Sequence, residues 1–380
     1  MPPDFFTRLA CSPCSEKFII KNKLRNIAEI GIGHCGNADS DKIFHARSFD
    51  NGEHFSLKPK WEITRRENKV FVRRNLDEDE ACSPENFARE LDALIASAPE
   101  AGSEKVPHIP VPQEVGGEWY RPAAQALIDE IHAGNLKKIV LARSIRSRAE
   151  KPIPVAPILG KLHERFEKNC TIFSLSRNGK TFLGASPETL VRLQNGIVET
   201  EALAGSIPNF PGADIAALSG QLLGDDKERR EHRAVIDFIA EKLRRMGLNA
   251  EFPETPEIVV LPNILHLRTP IHARANPDIH ILDLVSELHP TPAMCGVPAE
   301  TARQKILTTE PFPRGNFAGP LGFYNSAGEG FFAVGIRCAE ISACEIRLFA
   351  GSGLVAGSTP DREFAEIDSK FSAVLAHIQS

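Results

Sequence analysis

Two stretches of this chain set carboxylates beside an apolar helical stripe. In "GSGLVAGSTPDREFAEIDSK" (351–370), Thr359 can cap a helix with Pro360 at its first position, and Phe364, Ile367 and Phe371 recur at helical spacing. Glu363, Glu366 and Lys370 keep the same spacing on the adjoining face, which puts two carboxylates and an ammonium at the edge of the core. In "DDKERREHRAVIDFIAEKL" (225–243) the stripe is His232, Val235, Ile239 and Leu243, continued by Met246, and Glu231 flanks its start. A hard cation such as Mg2+ takes one or two carboxylates, with waters and ligand oxygens for the rest, and Glu231 and Glu366 could supply them. Taken singly, each pattern also fits a solvated helix face whose first-turn acids complement the helix dipole.

An acid and a base are also legible. Lys138 heads "KIVLAR" (138–143). A lysine entering a buried strand loses solvation, which lowers its pKa toward neutrality and makes it a usable general base. Glu188 ends "GASPE" (184–188), just after a strand and a turn. Enclosed by apolar neighbours, a carboxyl there is raised and can serve as general acid. The alternative for either residue is a surface ion pair. Stretch 351–370 poses a puzzle of its own, because close-approach glycines offer N–H groups to anions while the acids after them repel anions.

Composition narrows the setting. Hydrophobic residues make up 42% and charged residues 25%, ordinary values for a globular protein of 380 residues. A net charge of -5 offers no basic excess for phosphates, so no nucleic acid is expected as a partner. No apolar run approaches the roughly 18 residues of a membrane helix. With no basic-then-apolar leader at the N-terminus, a cytoplasmic protein is expected, a monomer or a weak dimer. Eight scattered cysteines then read as free thiols, and the Cys11-Ser-Pro-Cys14 pair, followed by His34-Cys35, is an incomplete zinc pattern.

The elements that must position these groups are clearest after residue 118. Helices are expected within 83–104, before its breaker cluster, and at 121–134, 156–169, 227–247, 298–308 and 360–378, with a helix or turn near 282–288. Strands are expected at 137–150, 171–207 with Asn-Gly turns at 178–179 and 195–196, 257–275 and 317–357. "KWEITRRENKVFVRRNL" (60–76) reads as an edge hairpin, and the Pro/Gly-rich 103–117 as a connector. Tight turns between strands imply antiparallel pairing. The fold class is therefore α+β, large antiparallel sheets with helices packed outside. Residues 1–117 form a divergent N-terminal part and 118–380 the catalytic region of one intertwined domain.

"KIVLAR", "GASPE", "ALAGS" (202–206), "KERREH" (227–232), "HPTPAMCGVP" (289–298), "AVGIRCAEI" (333–341) and the 351–370 stretch occur in this order. Together they closely resemble the chorismate-utilising enzymes, and within them the isochorismate synthases of the siderophore type. The resemblance implies an α/β/α-layered fold around two stacked antiparallel sheets. It implies water addition at C2 of chorismate and loss of the C4 hydroxyl, with Mg2+ at the ring carboxylate. Lys138 then looks like the base and Glu188 the acid. Glu231 and Glu366 look like the metal ligands, with Glu363 helping through water. Gly205 and Ser206 meet the ring carboxylate; Arg337, Gly351 and Lys370 hold the enolpyruvyl carboxylate.

Anthranilate and aminodeoxychorismate synthases, which use ammonia, typically carry glutamine where this chain has Lys138. Salicylate synthases share the lysine but resemble "HPTPAMCGVP" less, where Ala293 and Met294 are expected to shape the pocket. A salicylate synthase, an isochorismate synthase of the menaquinone pathway, and a non-catalytic anion-binding scaffold are the alternatives. The product is expected to feed dihydroxybenzoate or salicylate siderophores. One family strand, of the form GALPFD, is poorly matched by "KIFHARSFDNGEHFSLKP" (42–59).

Overall fold

The computed structural model describes residues 16–22, 27–34, 42–50, 52, 54–66, 69–76, 82–97, 105–110, 117–166, 168–210, 212–261 and 264–379. Cys11, Cys14, Cys35 and parts of the 103–117 connector lie outside them. Cys82, Cys170, Cys295, Cys338 and Cys344 are free thiols.

The chain opens with strands β1 (Lys17–Asn22), β2 (Ile27–His34), β3 (Lys42–Arg47), β4 (His54–Leu57), β5 (Pro59–Arg66) and β6 (Lys69–Arg74). Helices α1 (Pro84–Ser97) and α2 (Gly117–His132) lead to β7 (Lys138–Arg148), and α3 (Val155–Phe166) to β8 (Thr171–Arg177), β9 (Lys180–Ser186), β10 (Thr189–Gln194) and β11 (Ile197–Pro208). Then come α4 (Ile215–Gly224), α5 (Asp226–Arg245), β12 (Glu257–Leu261), β13 (Ile264–Arg274), α6 (Ile281–Leu288), β14 (Gly296–Val297) and α7 (Ala299–Thr309). The last elements are β15 (Pro320–Asn325), β16 (Gly330–Val334), β17 (Cys338–Ser342), β18 (Glu345–Leu354) and α8 (Pro360–Gln379).

These strands form two antiparallel sheets. One runs β14-β7-β18-β17-β9-β8-β1-β2-β5-β6, the other β12-β13-β11-β10-β16-β15-β3-β4. At both Asn-Gly turns the two residues have positive φ (50° and 73°; 51° and 69°), the conformation that suits the twist of a two-residue hairpin. The 60–76 hairpin is β5–β6 and closes one end of the first sheet. The poorly matched 42–59 segment supplies β3 and β4 to the far end of the second. Its Asp50 still does structural work: the carboxylate accepts from the main-chain N–H groups of Arg314 (3.0 Å) and Gly315 (2.6 Å).

The sheets pack on each other through one core, where Phe18 of the first meets Phe44 of the second at 5.3 Å between rings. On the outer face of the second sheet, α5 buries His232, Val235, Ile236, Ile239 and Leu243. Asp225 caps α5 by accepting from Lys227 N and Glu228 N, and Gly247, at φ 75°, ends it. On the first sheet, α8 buries Phe364, Ile367, Phe371, Leu375 and Ile378, each stabilising the fold by about 2 kcal/mol. Buried Arg143 of β7 stacks 3.5 Å from the Phe364 ring centre and donates to Asp368 Oδ1 at 2.7 Å, which ties the strand that begins at Lys138 to the helix that carries Glu363 and Glu366.

Candidate functional site

Of the connections that cross from one sheet to the other, two carry a residue singled out in the sequence. Between β9 and β10 the chain passes through Pro187 and Glu188; between β16 and β17 it passes through Gly335 and Arg337. The crossings are stitched together, Val334 N donating to Glu188 O (3.3 Å) and Ala185 N to Arg337 O (3.2 Å). Arg337 has φ 50°, a left-handed conformation that a non-glycine residue adopts at some cost. That backbone turn leaves the guanidinium on the wall of a cleft at the crossings.

The cleft collects nearly all the residues singled out in the sequence. Lys138, Glu188, Gly205, Ser206, Glu231, Arg337, Gly351, Glu366 and Lys370 line its main lobe, with Ala293 and Met294. Glu363 lines an adjoining lobe, which shares Gly205, Ser206, Glu231, Glu366 and Lys370 with the first.

Lys138 opens β7, and its ammonium lies 3.7 Å from Glu231 Oε2. Its side chain has room because residue 353 on β18 is glycine: a Cβ there would stand 3.0 Å from Lys138 Cε. Glu188 is 4% exposed, and its Oε1 accepts from the Thr291 hydroxyl at 3.4 Å. Gly205 sits at a bulge of β11 against β13, with φ 77°; a Cβ would come 2.9 Å from Glu228 O at the start of α5. The bulge turns out the N–H of Ser206, which donates to Glu228 Oε2 at 2.8 Å. A carboxylate thus already rests where a substrate carboxylate is expected.

The Arg337 guanidinium makes no hydrogen bond or ion pair among the described residues. Burial lowers its pKa from the usual arginine value, against the pull of Glu366. Lys370 donates to Gly351 O (2.7 Å) and pairs with Glu366 (2.7 Å). Gly351 therefore meets Lys370 through its carbonyl and sits opposite Ala142 in the sheet. Burial opposes the charge of Glu366, but Lys370, Arg337 and Lys227 outweigh it and hold the carboxyl below its usual range. For Glu363 burial wins, helped by repulsion from Glu366, and its pKa is raised.

Two residues of this site were not anticipated. Glu228 and Lys227 face the acidic lobe, Lys227 lying 3.4 Å from Glu228 and 3.6 Å from Glu231. In sequence they are ordinary first-turn charges, and only the fold, which brings the start of α5 to the lobe that α8 also lines, shows which way they turn. Among the described residues no three acidic, histidine or cysteine side chains close a complete metal set. The donors nevertheless fit Mg2+, since paired carboxylates from two helices leave positions for water and ligand oxygens.

A two-sheet antiparallel fold with a cleft lined by lysines, an arginine and carboxylates suits small anionic ligands. A family profile described as "Chorismate binding enzyme" matches residues 10–379. The chain belongs to that family. It is 37% identical over 275 residues to the isochorismate synthase DhbC of Bacillus subtilis, covering 70% of this chain and 68% of that one. It is 33% identical over 262 residues to the vibriobactin-specific isochorismate synthase of Vibrio cholerae, covering 68% and 66%. The matches thus span about two thirds of each relative. Over 98% of the chain and 91% of the other, the fold superposes on the solved menaquinone-specific isochorismate synthase MenF of Escherichia coli, with TM-score 0.85 and 26% identity. The expected family and fold class are borne out, and these relatives are isochorismate synthases, enzymes of the isomerase class.

Proposed function

We propose that the protein converts chorismate to isochorismate, with Lys138 as base and Glu188 as acid. The observation that carries this reading is the meeting in one cleft of Lys138, from the start of β7, and Glu188, from the β9–β10 crossing, with the Arg337 guanidinium, which has no hydrogen-bond or ion-pair partner among the described residues. Lys138 takes a proton from a water that adds at C2 of the ring. Glu188 gives a proton to the C4 hydroxyl as it departs, so one water enters and one leaves. Arg337 and Lys370 take the enolpyruvyl carboxylate, in charge-assisted contacts. Gly351 is left with close approach of its backbone as its part. The Ser206 N–H takes the ring carboxylate once Glu228 gives way.

Glu231 and Glu366 would hold Mg2+, with Glu228 and Glu363 beside them. Bound there, the ion supplies positive charge for the ring carboxylate. The remaining gain comes from fixed placement of base, acid and charge around the ring. By analogy with the siderophore-type relatives, the product feeds 2,3-dihydroxybenzoate or salicylate formation, in the cytoplasm and from a monomer. Among the described residues no helix is long and apolar enough to cross a membrane.

Incubation with chorismate and Mg2+, followed by separation of products, tests the reading. Isochorismate alone supports it. Salicylate with pyruvate would make the protein a lyase, and no turnover would favour the scaffold alternative. Lys138→Ala is expected to abolish turnover while chorismate still binds; full activity in that variant would remove Lys138 as the base.

A further inference from the structure

Arg314 is a guanidinium on the cleft wall, yet it is not placed to greet a substrate. Its side chain is 1% exposed, and its three nitrogens are committed to the protein. Nε donates to Glu310 Oε2 (2.8 Å), and Nη2 to Glu310 Oε1 (2.5 Å) and Val140 O (2.8 Å). Nη1 donates to Met294 O (2.9 Å). Glu310, itself 2% exposed, accepts the main-chain N–H of Ala142 at 2.8 Å. The guanidinium also lies 4.3 Å above the Phe49 ring, and its own main-chain N–H is held by Asp50.

These contacts fill a gap in the sheet. Along one side β7 pairs with β18 from Ile139 to Arg148. Along the other, β14 reaches only Lys138 and Ile139, and Cys295 O takes the N–H of Val140 at 2.7 Å. The next groups on that edge are Val140 O and Ala142 N, and buried main-chain groups left unpaired are costly. Arg314 and Glu310 stand in for the missing strand. Replacing such a buried pair by apolar residues is often neutral for stability, so stability alone does not account for it.

We propose that the Glu310–Arg314 pair positions the base: it sets the place of Lys138 along β7 relative to the Met294 wall of the cleft. Neither residue touches substrate in this account, so both are positioning residues. The proposal rests on Lys138 as base, which the Lys138→Ala variant tests separately.

Glu310→Gln keeps the shape of the side chain but leaves Arg314 uncompensated. Arg314→Lys keeps the charge but cannot bridge Val140 O, Met294 O and Glu310 together. In both, kcat is expected to fall about 10- to 100-fold, the scale of an ångström-sized misplacement, while KM for chorismate stays within about twofold. The Ala142 amide should also exchange with solvent faster in Glu310→Gln. If the folded protein of either variant keeps the parent kcat, the proposal is wrong and the pair only holds the fold. Should Glu310→Gln fail to fold, the kcat and KM of Arg314→Lys decide the matter.

Discussion

Gly353→Ala separates the position of Lys138, the proposed base, from the stability of the fold. Gly353 lies on β18 opposite Val140, beneath the Lys138 side chain. A Cβ at 353 would stand 3.0 Å from Lys138 Cε and 3.4 Å from Nζ. Carbon atoms pack at about 3.5–4.0 Å, so the end of the lysine must retreat by roughly half an ångström or more. The lysine end is flexible and the φ of residue 353 suits any residue, so the backbone need not move. Gly→Ala at a compatible position stabilises by about 0.4–1 kcal/mol through the unfolded state. Misplacing a reacting group by about 1 Å costs near 100-fold in rate. The expected result is a melting temperature equal to or above the parent's, with kcat down about 10- to 100-fold and KM little changed. Steady-state kinetics and a thermal melt on the same preparation read both. An unchanged kcat would mean that Lys138 does not work from its place over Gly353.

Two further outcomes follow from the charges. In Lys138→Ala protein, chorismate should bind at least about tenfold more tightly with Mg2+ than with chelator, and Mg2+ reciprocally more tightly with chorismate. Equal affinities by calorimetry would refute the metal bridge. Stability should fall on acidification, because burial pushes His289 down to about 3 and His45 down to about 4, from 6.5. The unfolded chain then binds more protons, so this stability is full above pH 6.5 and is lost as pH falls toward 4, on the order of 3 kcal/mol for His45. Glu29 and Glu310, raised by burial, act in the opposite sense, so the comparison is between parent and His45→Gln. Urea midpoints that shift equally with pH in both proteins would remove His45 from the account.

The helices of the catalytic region were legible because their stripes are regular: Phe364, Ile367 and Phe371 are buried where helical spacing puts them. The hairpins were legible because Asn-Gly allows the positive φ that the turns adopt. Helix α4 was not anticipated, since "IAALSGQLLG" is apolar on most sides, holds two glycines and shows no stripe. In the N-terminal strands buried charges such as Lys17, Glu29 and Glu62 interrupt the alternation, and only their pairing in the sheet reveals that they are inside. The site residues were found through motifs. What joins them was not: "EPFPRG" (310–315) reads as a proline loop, and nothing local shows that its acid and arginine finish the edge of a strand some 170 residues earlier.

The pairing of β7 with β18 also bears on how the molecule is made. Residues 138–148 lie beside residues 345–354, so the strand bearing Lys138 leaves the ribosome long before its neighbour exists. At about 5 to 20 residues per second the wait is about 10 to 40 seconds. Through that interval Ile139, Leu141 and Ile145 have no β18 beside them and no α8 over them. Slow, non-local assembly of this kind exposes a chain to aggregation until the last strand and helix arrive. A translation product that stops before β18 carries Lys138, Glu188 and Glu231 yet has no cleft to hold them.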